Sequence, residues 1–339
     1  MGVAAFCEMD FRSLPMHDTG MTHERSDKPD ASGQREAKRF LLVTRCGRRS
    51  LHPQWLAPGT QRDYDVFLSF YEPCETDRLQ VGVFSELRPG TKVAGYAGFL
   101  ADYAQLLRSY DYVAFWDDDI SADPATINRI FAIGARERLK LFQPALSADS
   151  FYTYAALVRQ PGLSLRHVNF VEMMCPIFRT DELLRLKPLF DAGYESGMDL
   201  IWCNLLHENE RDFAVLDETP VRHTLPVGGN KASNGFTAGR RYEDDIYALL
   251  ERYDLPWFAC VPYAARTIRG RTIKSRVALF VHALPILASI VRAGGVVQRA
   301  RFVATHFYHL LRRKPANRRV EPIKPARHEE SRPSVLAPA

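Results

Sequence analysis

The sequence predicts an α/β fold, a mostly parallel central sheet flanked by helices. Three observations carry that expectation. Short runs rich in β-branched and aromatic residues recur at 40–44, 64–70, 112–116 and 139–146, and near-continuous apolar runs of this kind mark strands buried on both faces. Stretches of helical period lie between them. The run at 112–116 stops abruptly at three consecutive carboxylates, Asp117, Asp118 and Asp119. An open α/β sheet binds ligands outside the carboxyl ends of its strands, where such acids would stand.

The elements follow in order. Residues 1–37 are polar and predict a disordered segment. Residues 40–44 form a first strand that ends in a basic turn, Arg45 to Ser50, and 64–70 form a second. Residues 88–98 read as a glycine-punctuated loop bearing Lys92. A helix follows, with Phe99, Leu100, Tyr103, Leu106, Leu107 and Tyr110 on one face. Lys92 either holds a phosphate beside the helix amides or is an exposed loop lysine; the spacing is not that of a P-loop.

After the acids, Asp123-Pro124 opens a helix over 126–138 with Ile127, Ile130, Phe131 and Ile133 inward. The aromatic cluster at 151–154 either packs on the core or stacks on a sugar. Residues 167–178 read as one long apolar strand interrupted by Glu172. A lone glutamate in a buried run needs a partner or a task. Thr180 reads as a helix N-cap, and Asp199 lies near the start of a further helix, where it also serves the helix dipole. Strands at 211–216 and 221–224 bring His223 toward the ligand edge. Residues 228–239 form a glycine-rich loop of lid type, and 243–253 form a helix.

Length and composition allow one large or two ordinary domains with a sizeable core, since apolar content is 46% and charged content 25% over 339 residues. The six cysteines have no paired or zinc-finger spacing, which points to a reducing compartment. Charge is uneven. Residues 264–339 hold 16 Lys/Arg against 3 Asp/Glu, a net of +13, whereas the first 263 residues hold 29 against 37, a net of −8. An acidic body with a basic tail suggests that the tail meets an anionic surface. An apolar stretch at 277–291, bracketed by arginines, is shorter than the roughly 20 residues a membrane span needs. It reads either as an interfacial helix on an anionic leaflet or as a helix packed on the body. The expected organisation is a disordered 1–37, a catalytic domain over 38–260, a basic helical extension over 261–314 and a disordered 315–339.

The order of these elements, with an apolar strand ending in Asp-Asp-Asp, resembles the GT-A (Rossmann-like) glycosyltransferase fold and its DxD motif. The segments 115–120, 143–146, 170–178 and 197–200 resemble more specifically the DUF707 family. The resemblance covers roughly residues 38–228. It implies a metal-dependent glycosyltransferase using a nucleotide-sugar donor, a glycan or lipid-linked acceptor and Mn²⁺ or Mg²⁺. It also implies roles. Asp117, Asp119 and His223 would hold the metal; Arg45, Lys92, Asp117 and Asp118 would contact the nucleotide-sugar; Asp199 would be the base, with Glu172 and Glu195 in reserve.

The residues support that chemistry independently. Crowded carboxylates repel one another, and a hard cation with a preference for oxygen ligands relieves the repulsion. A departing diphosphate needs such a cation. Rival readings are a metal-dependent phosphohydrolase or nucleotidyltransferase, and a membrane-recruited binding protein without turnover. Nucleic-acid binding is disfavoured, because the tail lacks a reading motif and the body is acidic. The expected location is cytoplasmic, peripheral on the cytoplasmic face of a membrane.

Overall fold

The computed structural model describes residues 38–74, 81–227, 242–256, 260–287 and, in pieces, 296–297, 300–301, 303–305, 307–312 and 319–320. The segments expected to be disordered, 1–37 and nearly all of 315–339, and the glycine-rich loop at 228–239 lie outside them. The described residues form one compact unit.

The first half alternates strand and helix. β1 (Phe40–Cys46), α1 (His52–Trp55), β2 (Tyr64–Phe70) and β3 (Val83–Leu87) are followed by α2 (Lys92–Asp102), α3 (Ala104–Leu107) and β4 (Tyr112–Asp117). A two-residue strand β5 (Ile120–Ser121), α4 (Pro124–Glu137) and β6 (Leu141–Leu146) come next. The second half holds β7 (Leu163–Val168), β8 (Ile177–Arg179), α5 (Thr180–Arg185), α6 (Lys187–Phe190) and α7 (Trp202–Leu206). It continues through β9 (Phe213–His223), α8 (Tyr242–Arg252), β10 (Pro262–Thr267), β11 (Thr272–Ile273) and α9 (Arg276–Ala283).

The strands form one sheet in the order β11-β10-β7-β9-β6-β8-β4-β1-β2-β3, with β5 paired to β9. The α/β class holds, but the sheet is mixed rather than mostly parallel. The β3-β2-β1-β4 block and the β6–β9 pair are parallel. β8 runs antiparallel to both β4 and β6, and β7 runs antiparallel to both β9 and β10. The expected single strand at 167–178 is therefore two strands with an irregular stretch between them. Its pieces read as one because both are buried and only Glu172 interrupts the apolar run.

Helices pack on both faces. Along β4, Tyr112 and Phe115 are three residues apart, so they point to opposite faces. Phe131 of α4 stacks on Phe40, paired with Tyr112, at 4.8 Å. Tyr96 of α2 stacks on Phe115 at 4.2 Å. α4 is well marked at both ends: the Asp123 side chain accepts from the Thr126 amide at 2.7 Å, and Arg138 closes the helix in the left-handed region. One buried ion pair ties β7 to β9. Arg166 donates to both Asp217 oxygens, at 2.8 and 3.0 Å, and to the Ala156 and Val158 carbonyls.

Other boundaries differ from expectation. β9 is continuous where two strands were expected, because Asp217 and Thr219 are buried within it. α2 begins at Lys92 rather than Phe99, since Thr91 caps it and glycines at 95 and 98 do not break it. Thr180 does not cap α5; its hydroxyl donates to the Tyr110 carbonyl at 2.6 Å. The segment after 260, expected to be helical, opens with β10 and β11, which extend the main sheet.

Gly134 of α4 tests this packing. A Cβ there would lie 1.9 Å from the Phe142 ring of β6. Gly→Ala normally favours a helix by about 1 kcal/mol; here it is expected to cost about 1–3 kcal/mol by overpacking. Urea unfolding of Gly134→Ala, and its partial rescue by Phe142→Leu, measures this.

Candidate active site

The acids stand where β4 emerges from the sheet. Its first five residues are buried, and Asp117, the last, is partly exposed. The Asp117 amide donates to the Met174 carbonyl and the Phe115 amide to Pro176, both at 2.9 Å. The irregular stretch after β7 is thereby laid along the end of β4, which brings Glu172 and Met173 to the same edge.

β5 does the corresponding work for His223. After Asp118 and Asp119 the chain pairs Ile120 with His223 and Ser121 with Arg222. His223 Nε2 then lies 3.1 Å from Asp119 Oδ2. Its Nδ1 faces the Phe151 carbonyl at 2.9 Å. With the Nδ1 proton donated to that carbonyl, the Nε2 lone pair is directed at the acid cluster, the orientation that metal-binding histidines use. Burial opposes charge on the ring, but Asp119 and then Asp117 outweigh it and raise its pKa.

One ligand atom each from Asp117, Asp119 and His223 lies within 4.8 Å of the others. The side chains of Asp117 and Asp119 keep 28% and 14% of their exposure, so the cluster is reachable from solvent. Asp119 Oδ1 is buried without a hydrogen-bond partner. A carboxylate oxygen in that state is costly unless a cation or donor meets it. Two oxygens and an imidazole nitrogen are a fitting donor set for Mn²⁺ or Mg²⁺.

Lys92 is the cation already present. Its Nζ pairs with Asp117 Oδ1 and donates to the Met173 carbonyl at 2.7 Å. A lysine in the first turn of a helix opposes the helix dipole, and the pairing with Asp117 offsets that. Asp118 is turned elsewhere: its Oδ2 accepts from the Gly47 amide at 3.0 Å and its carbonyl from Leu51 at 2.6 Å. It fixes the turn after β1. Burial, despite Gly47 and reinforced by Asp117 and Asp119, pushes its carboxyl up to about 6.

Glu172 and Asp199 share the neighbourhood. Burial, then Asp199, raises Glu172 to about 7; Thr153 hydrogen-bonds its side chain, and Oε2 is buried without a partner. Burial likewise raises Asp199 to about 6 against the pull of the Met173 amide and Lys92. That amide donates to Asp199 Oδ2 at 3.4 Å. Met173 thus touches Lys92 through its carbonyl and Asp199 through its amide.

Two expected site residues besides Asp118 are engaged elsewhere. Arg45 lies inside β1, not in the turn after it. Its guanidinium is buried, donating to Ser69 Oγ at 2.8 Å and the Gly90 carbonyl at 3.0 Å. It braces the loop before α2. Glu195 accepts from Thr91 Oγ1 at 2.5 Å, and its amide donates to Asp245 at 2.7 Å, so it serves the N-terminus of α2. Tyr154 of the aromatic cluster packs on Phe170 at 4.8 Å, the core-packing alternative. Sequence reasoning assigned no role to Gln143, whose Oε1 accepts the Glu172 amide at 2.6 Å. A polar residue in an otherwise apolar strand was the available signal.

No protein-family model matches the chain, so the DUF707 resemblance rests on the quoted motifs alone. No curated protein matches either. Among solved structures, S. aureus TarS 1–349 aligns at 10% identity and a TM-score of 0.38 over 81% of this chain and 73% of that one. Its complex with UDP-GlcNAc aligns at the same identity and TM-score over 81% of each chain. A197 from STIV aligns at 12% identity and a TM-score of 0.31 over 55% of this chain and 86% of that one. Similarity this low assigns no role to any residue.

The electrostatics of Glu172 have a measurable consequence. Its carboxyl ionises near 4.5 in the unfolded chain and near 7 when folded. The folded state therefore holds the extra proton between those values, and stability falls as pH rises through them, by up to about 3 kcal/mol. In metal-free buffer, Glu172→Gln is expected to flatten this share of the pH dependence and to be more stable than wild type above about pH 7 in urea unfolding.

Proposed function

We propose that the protein is a GT-A-type, metal-dependent glycosyltransferase that moves a hexose-like sugar from a nucleotide-sugar donor to a glycan or lipid-linked acceptor. The convergence of Asp117, Asp119 and His223 carries this reading. Mn²⁺ or Mg²⁺, when bound, would supply the positive charge that a departing diphosphate needs. Asp117 and Asp119 would hold it with carboxylate oxygens and His223 with its imidazole. Lys92, at the start of α2 and beside Asp117, adds fixed positive charge where the phosphates would lie.

Asp199 is the better-placed base. It is partly exposed, whereas Glu172 is buried. A carboxyl held near 6 is ionised at neutral pH yet more basic than a free aspartate. In an inverting reaction it would take the acceptor hydroxyl proton as that oxygen bonds to the anomeric carbon and the nucleoside diphosphate leaves.

Calorimetry against nucleotide-sugars and nucleoside diphosphates, with and without Mn²⁺, tests the donor half. Binding of one nucleotide that requires Mn²⁺ and disappears in the double variant Asp117→Ala, Asp119→Ala is expected. No nucleotide binding by folded protein under either condition overturns the reading. For the base, Asp199→Asn is expected to lower kcat by about 10²–10⁴-fold while leaving nucleotide binding in place. Wild-type kcat/KM should fall as pH drops through about 6, where Asp199 gains its proton.

A further inference from the structure

The feature that the site leaves unexplained is at the β10–β11 turn. From Leu255 to Val320 the sequence contains no Asp or Glu. Within that stretch the structure displays apolar side chains outward. Ile268, at the tip of the turn, is 68% exposed, and Val277 and Val281 on α9 are 62% and 55% exposed. Single exposed apolar residues are ordinary, but Ile268 stands among Arg269, Arg271 and Lys274, all exposed, and the two valines follow directly on α9.

The display is held in place. The Ile268 amide donates to Gly162 at 3.0 Å, and the Thr267 and Gly270 amides bond to Arg271 and Thr267, both at 2.9 Å. Gly270 takes a φ of +80°, which favours glycine there. α9 is anchored from its other side. Leu279 packs with Leu163, Val261, Ala265, Ile273 and Leu310. Val277 and Val281 are four residues apart and face nearly opposite Leu279 and Ala283, the buried pair. Ile268, Arg269, Arg271 and Lys274 on the turn side and Ala278 and His282 on the helix side line one groove.

We propose that the β10–β11 turn and the outward ridge of α9 dock on an anionic lipid bilayer. Ile268, Val277 and Val281 enter the headgroup boundary, and Arg269, Arg271 and Lys274 contact lipid phosphates. Apolar residues flanked by basic ones, in a run of chain without an acid, match such a surface in both polarity and charge. No helix among the described residues is long and apolar enough to cross a membrane, so this contact is peripheral. Its direction is also apt. β10 runs the same way as β9 and β4, so its end and its turn leave the sheet by the edge that carries His223 and the acids. A membrane-held acceptor would meet the edge where the proposed chemistry lies. The docking itself stands whether or not that chemistry is glycosyl transfer.

Flotation of the full chain with vesicles, in the absence of nucleotide, tests it. The vesicles are phosphatidylcholine alone or phosphatidylcholine mixed with phosphatidylglycerol. Binding to the mixed vesicles only, weakened by salt, is expected. The double variant Arg269→Gln, Arg271→Gln should bind about thirty-fold more weakly, and Ile268→Ser about ten-fold more weakly, with unchanged melting temperatures. Equal binding by wild type and both variants overturns the proposal, as does no binding or equal binding to neutral vesicles. A fluorescent oligonucleotide is run in parallel. If it binds as tightly as the vesicles do and Ile268→Ser changes neither, the surface is a general polyanion site and the proposal fails.

Discussion

The structure is governed by the cost of gathering carboxylates at one partly buried strand end. Asp117, Asp118, Asp119, Glu172 and Asp199 meet there, and burial raises the pKa of Asp117, Asp118, Glu172 and Asp199. Lys92 and His223 answer only part of that charge. Backbone amides of Gly47 and Met173 answer a little more. What remains is a site that a divalent cation would stabilise, and that is harder to fold at high pH without one.

The mixed sheet is the means of assembly. A purely parallel sheet would bring only strand ends to the edge. Here the antiparallel return through β8 lays residues 174–176 alongside β4. Glu172 and Met173 thereby reach acids far from them in sequence. β5 is only two residues long, but it fixes the pairing that aims His223 at Asp119.

Much of this was legible in the sequence, and the failures have physical causes. β4 and α4 were readable because an apolar run met an abrupt charge and a clear N-cap. Asp117, Asp119 and His223 were grouped by resemblance, and the structure brings their side chains together. Arg45 misled because a strand can bury an arginine when a serine and a carbonyl receive it, and no local pattern reveals such distant partners. Glu195 misled for the same reason, since Thr91 is 104 residues away. β10 was missed because its partner, β7, lies about a hundred residues earlier, and Arg266 with the basic residues after it suggested surface rather than sheet. Strand pairings over such separations are set by tertiary packing, which single-sequence patterns do not carry.

β9 is clamped at its middle as well as at its end. It pairs with β6 up to Leu216, then again at Val221, and the residues between form a bend. Asp217 lies at the start of that bend, gripped by Arg166. Beyond it the strand runs free of β7 to His223. The path of the strand toward the histidine thus starts from a salt bridge that touches no ligand, and β5 and the Phe151 carbonyl set the final aim. Loosening the clamp would leave the far end to β5, Ser150 and Phe151, so the chemistry of the edge draws on a bond that also belongs to the core.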